Sequence, residues 1–82
     1  MNENDIKILL VQIIFEISNK KILNYDKYLL GRDIGIPRED FLYLIVKLED
    51  YYHLPIIKVL EKHDYTVFTI NNLAESLTNT EV

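Results

Sequence analysis

The sequence predicts an all-α fold of four helices, with a long loop after the first and a short third helix. Three observations carry this expectation. Apolar residues recur at helical spacing over residues 6–17 and again over residues 41–52. Gly and Pro number two each in 82 residues, too few for a chain of tight hairpins. A third periodic run, residues 70–77, is preceded by Thr69, a residue type that caps helices.

The first helix is expected to start at Asn4 or Asp5, either of which can serve as its N-cap. Ile6, Leu9, Leu10, Ile13, Ile14 and Ile17 form its apolar stripe, and Lys7, Gln12, Glu16 and Asn19 its wet side. Ile8, Val11 and Phe15 widen the stripe, so the helix is expected to be covered on more than one side. Ser18 to Lys21 should end it, with Lys20 and Lys21 near the negative end of the helix dipole.

Residues 22–36 read as a long connection, with Leu23, Leu29, Leu30 and Ile34 as apolar anchors. A loop of this length in a small fold implies a specific topology. The second helix should have Pro37 at its first position, where a missing N–H costs nothing, and Ile36 as its cap by position. Glu39 and Asp40 place negative charge near the free N–H groups. Leu44, Ile45 and Leu48 should face the core, with Phe41 and Tyr52 beside them. Tyr43, Lys47, Glu49 and Asp50 should face solvent. His53 and Pro55 end the helix. Residues 56–63 read as a short third helix with Ile56, Val59 and Leu60 buried. Tyr65, Thr66, Val67 and Phe68 are β-rich by propensity and predict a short strand or extended segment. Ile70, Leu73, Ala74 and Leu77 give the last helix its apolar face, and residues 79–82 should fray.

Composition bounds the function. A chain this short makes one domain, residues 1–82, with one modest core. Cys is absent, so no disulfide and no thiolate metal site can form, and the 49% apolar residues must hold the fold by packing. Nine basic residues against 13 acidic ones give a net charge of −4. That argues against a nucleic-acid binder and for a protein partner with a basic patch. The run 6–17 is too short and too interrupted to cross a bilayer, and the acidic start is unlike a signal peptide. We therefore expect a cytoplasmic monomer that does not engage membranes.

One stretch carries a family resemblance. Asp33-Ile34-Gly35 precedes Asp40, and Leu48-Glu49-Asp50 follows within the second helix. This resembles the phosphopantetheine-attachment region of acyl and peptidyl carrier proteins, which reads Asp-Leu-Gly-x-Asp-Ser-Leu-Asp before a helix containing Leu-Glu-Glu/Asp. Leu30-Gly31-Arg32 leads into Asp33 with the spacing of the carriers' anchored first loop. Thr69 and its helix resemble the opening of the last carrier helix. The ordered pattern spans nearly the whole chain. It is most similar to the acyl carrier-related proteins of peptide (bacteriocin-type) maturation systems. The resemblance implies a four-helix acyl-carrier-like bundle.

The chain departs from that family where the chemistry sits. Arg38 occupies the position of the modified serine, and Glu39 that of the following Leu. A guanidinium has no oxygen on which a transferase could build a phosphodiester. It also puts a cation where the dipole favours an anion, at a cost of up to about 1 kcal/mol. Ser18 and Ser76 are expected on or at the end of other helices. No phosphopantetheine and no other cofactor is therefore expected. Arg38 reads more plainly as a surface arginine paired with Glu39, Asp33 or the third segment; the functional reading is contact with a partner or an anion. Glu49 and Asp50 read plainly as a solvated face, and functionally as the acidic docking helix that recruits enzymes to carriers. Tyr43 and Tyr51 are interface candidates, because tyrosine concentrates binding energy; the plainer reading is that they cap the core with a wet hydroxyl.

His53 and His63 lack a third clustered ligand, so no metal is expected. Neither a nucleophilic triad nor a Gly-rich phosphate loop is present. Adjacent carboxylates on a helix face do not make an acid–base pair, so an enzyme is not expected. Three functions follow. The first is a non-carrying adaptor in a peptide-maturation pathway, docking through Arg38, Tyr43, Lys47, Glu49 and Asp50. The second is a genuine carrier modified at an unusual site. The third is a small winged-helix nucleic-acid binder, with residues 65–70 as its wing strand and residues 41–52 as its recognition helix.

Overall fold

The computed structural model describes residues 1–80, and these form four α-helices and no strand. Helix α1 runs Glu3–Ser18. Its cap is Asn2, earlier than the Asn4 or Asp5 expected. The Asn2 side-chain oxygen accepts the Asp5 N–H at 2.8 Å, and the Asp5 carboxylate accepts the Asn2 N–H at 3.3 Å. This reciprocal box satisfies two N–H groups that the helix leaves open. Asp5 is thus the far half of the cap. At the other end Asn19 takes a left-handed conformation (φ 58°) and its N–H closes on Phe15. The last turn holds no basic residue, so Lys20 and Lys21 lie beyond the helix they were expected to end.

Ile6, Leu9, Leu10, Ile13 and Ile14 are buried, as their spacing predicts. The expected wider cover of α1 holds for Val11, which packs partly against the core, and not for Ile8 and Phe15. Ile8 and Phe15 are exposed, because α1 turns its apolar stripe toward α4 and α2 and they lie off that stripe.

The long loop is pinned to the core, though not by all the residues expected. Leu29 is fully buried, and Leu30 and Ile34 pack partly against the core. Leu23 is 82% exposed; the neighbouring Ile22 turns inward instead. Backbone bonds tie the loop to the far end of the chain. Leu29 N–H donates to the Phe68 carbonyl at 2.8 Å, and Asn71 N–H to the Tyr25 carbonyl at 3.1 Å. The Asn71 amide also donates to Asp26. Tyr28, Phe68 and Phe41 then stack in sequence, with Phe41 edge-on to Phe68 at 5.2 Å between centroids.

Helix α2 begins at Arg38 and runs Arg38–Val46. Pro37 is therefore its N-cap and the helix starts one residue later than predicted; the Pro37 carbonyl accepts the Phe41 N–H. Ile36, expected to cap, is buried in the core. The α geometry does not reach Tyr52. Residues Lys47–Tyr51 form a π turn, in which Tyr52 N–H bonds the Lys47 carbonyl. His53 then reverses the chain in a left-handed conformation (φ 56°), and Leu54 N–H bonds back to the Leu48 carbonyl.

Helix α3 spans Ile56–Lys62, with Ile56 and Val59 buried and Leu60 half-buried. Residues 65–68 are not the strand their propensity suggested. Tyr65–Val67 form a 3₁₀ turn, capped by the Asp64 carboxylate, which accepts from the Thr66 N–H at 3.0 Å. A strand needs a neighbour to pair with, and no described segment offers one. This also removes the wing required by the winged-helix alternative. Helix α4, Ile70–Asn79, is capped by Thr69, whose hydroxyl accepts the Asn72 N–H at 3.0 Å. Asn79 is its last residue, inside the stretch expected to fray. The part of that expectation falling on residues 81–82 lies outside the described residues.

All four helices and the long loop share one apolar cluster. The radius of gyration, 11.4 Å, lies close to the value of about 12 Å that a compact chain of this length gives.

Candidate docking face

Helix α2 and the π turn that continues it put Phe41, Leu44 and Leu48 into the core. Helical spacing then turns two parallel rows outward. One is Arg38, Leu42, Val46 and Asp50. The other is Glu39, Tyr43, Lys47 and Tyr51. In an α-helix the i+4 residue advances about 40° around the axis. The wider turn at Lys47–Tyr51 reduces that drift. Val46 and Asp50 consequently line one concavity together with Tyr43, Lys47, Tyr51 and Tyr52.

Arg38 sits exposed at the first position of α2 and makes no ion pair among the described residues. Of its expected partners, neither Glu39 nor the third segment pairs with it among the described residues, and Asp33 is taken by Lys27. That hydrogen bond and the Lys27 charge hold the Asp33 carboxyl below its ordinary value. Arg38 borders a groove of about 510 Å³ with Leu30, Ile36, Phe41, Leu42 and Ile45. No serine or threonine borders that groove. Ser18 donates its hydroxyl to the Ile14 carbonyl at 2.7 Å, and Ser76 lies on α4.

The other expected site residues divide. Tyr43, Lys47 and Asp50 share the concavity on α2. Lys47 is less free than its position suggested: its ammonium lies 3.8 Å from Glu16 and 5.9 Å from the centre of the Tyr51 ring. Tyr51 in turn stands edge-on to Tyr52. Glu49, expected toward solvent, is half-buried and reaches across to α3, where it accepts the Ile57 N–H at 3.3 Å. It thereby supplies the cap that Pro55 cannot. Asp50 is exposed and unpaired among the described residues.

Leu42 and Val46 escaped the reading from sequence, yet they are 55% and 56% exposed. Their signal was present: they lie four apart, off the row of Phe41, Leu44 and Leu48. With Tyr43 and Tyr51 they make α2 apolar on its outer face as well as its inner one. Such a face marks an interaction site more often than chance exposure does. No described helix is long and apolar enough to cross a membrane. Comparison with protein-family models, curated proteins and solved structures returns no match for this chain.

Proposed function

We propose that this chain is an acyl-carrier-like domain that carries nothing, and acts as a cytoplasmic docking adaptor for an enzyme or exporter of a peptide-maturation pathway. The observation behind the first half is Arg38 at the opening turn of α2, where the carrier pattern has its serine, with no hydroxyl side chain bordering its groove. The order of elements supports the carrier likeness. A 16-residue helix is followed by a long pinned loop, a left-handed Gly35, α2, a seven-residue helix and a Thr-capped last helix. The second half rests on the outer face of α2, where Tyr43, Val46 and Tyr51 surround Lys47 and Asp50. The pathway rests on the sequence resemblance alone.

The test is titration of the isotope-labelled protein with modification and export enzymes of peptide-maturation pathways. Amide shifts are expected to move along α2, at Tyr43, Lys47 and Asp50. Tyr43→Ala should weaken binding at least about tenfold, as a central aromatic contact does. Shifts confined to α1 and α4, or an unchanged affinity for Tyr43→Ala, would overturn the assignment of the face.

A further inference from the structure

We propose that the outer face of α2 is also self-complementary, and that two copies of this chain pair through it, helix against antiparallel helix. The proposal goes beyond the adaptor reading and does not rest on it. It stands on the row Arg38, Leu42, Val46, Asp50. The row opens on a cation, continues through two exposed apolar side chains and closes on an anion. Reversed, it reads as its own complement. Under a two-fold axis between Leu42 and Val46, each Arg38 meets the Asp50 of the other copy, and each Leu42 meets the other Val46. Antiparallel helices also oppose their dipoles favourably.

Two further observations favour a second copy as the occupant. Arg38 and Asp50, at the two ends of the apolar row, have no ion pair among the described residues. The shape also fits. Arg38 and Leu42 border one groove, while Val46 and Asp50 border the neighbouring concavity. Each end of the row therefore offers a hollow in which the other copy's side chains can seat. One helix pair buries less than a standard interface of about 1,600 Å², so the dimer is weak and concentration-dependent. It would cover the docking residues when no partner is bound.

Charge reversal tests this without endangering the fold. Arg38→Asp puts an anion at a helix N-terminus and Asp50→Arg a cation near the C-terminal end, both favoured by the dipole. Sedimentation equilibrium of the wild-type chain should show monomer–dimer exchange that weakens with salt. Each single reversal sets like charges opposite each other twice, and should raise the dissociation constant about tenfold or more. The double variant Arg38→Asp/Asp50→Arg should restore the wild-type constant. A one-to-one mixture of the two single variants should dimerise more tightly than either does alone. A wild-type chain that stays monomeric at high protein concentration would overturn the proposal, leaving the row for another protein. A dimer indifferent to the reversals would also overturn it, by placing the contact elsewhere, as on the exposed Ile8 and Phe15 of α1. Neither result bears on whether the chain carries a phosphopantetheine arm.

Discussion

Two single residues show how far local chemistry sets this fold. Gly35 holds φ at +61°, and a Cβ there would meet only ordinary contacts at 3.6 Å and beyond. The cost of a side chain is therefore backbone strain alone. Gly35→Ala should lose about 1 to 2 kcal/mol in urea denaturation, and Gly35→Asn distinctly less, because Asn tolerates the left-handed region. Asp33 gives a pH prediction. Lys27, first by hydrogen bond and then by charge, lowers its folded pKa below the ordinary 3.8. A depressed carboxylate contributes stability that is complete above its unfolded value and is lost as pH falls through the folded value. The contribution should thus fade below about pH 4. Lys27→Met should return the Asp33 carboxyl resonance to ordinary titration and flatten that acid limb. An Asp33 midpoint unmoved by Lys27→Met would contradict the pairing. At this scale the sequence was informative about identity and weak about partners. Arg38 could be placed at the start of α2 from Pro37, but that it has no ion pair among the described residues shows only in the fold.

Elements were legible where a period exists. Helices α1 and α4 follow from their apolar spacing, and the Thr69 cap from its residue type; Thr69→Ala should cost about 1 kcal/mol. The loop has no period, so nothing in the sequence says which of Ile22 and Leu23 turns inward. The structure makes that choice testable. Leu29→Ala, at a fully buried anchor, should cost about 2 to 5 kcal/mol. Leu23→Ala, at an exposed position, should stay within about 0.5 kcal/mol of wild type. Equal losses at the two sites would mean that the loop packs differently. Residues 65–68, open in the sequence between a strand and an extended entry to α4, hold a 3₁₀ turn for a related reason. Tyr, Thr, Val and Phe favour a strand only when a sheet receives them; here Asp64 turns the segment into a 3₁₀ cap and Phe68 joins Phe41 and Tyr28. The π turn has no signature in residue type, so its effect on Asp50 became visible only in three dimensions.

At the scale of the whole molecule, one apolar cluster joins the four helices and the loop, and α2 is apolar on both its inner and outer faces. The inner face was legible because burial follows the Phe41, Leu44 and Leu48 spacing. The outer face was legible only by subtraction, since Leu42 and Val46 are apolar like core residues and only their place off the Phe41, Leu44 and Leu48 row turns them outward. The proposed function turns on Arg38 at the first position of α2, where the carrier pattern has its serine. Intact mass of the purified protein, measured after incubation with coenzyme A and a broad-specificity phosphopantetheinyl transferase, is the decisive test. The mass should stay unchanged, with a known carrier in the same tube fully converted. A gain of one phosphopantetheine arm on this chain would contradict that function.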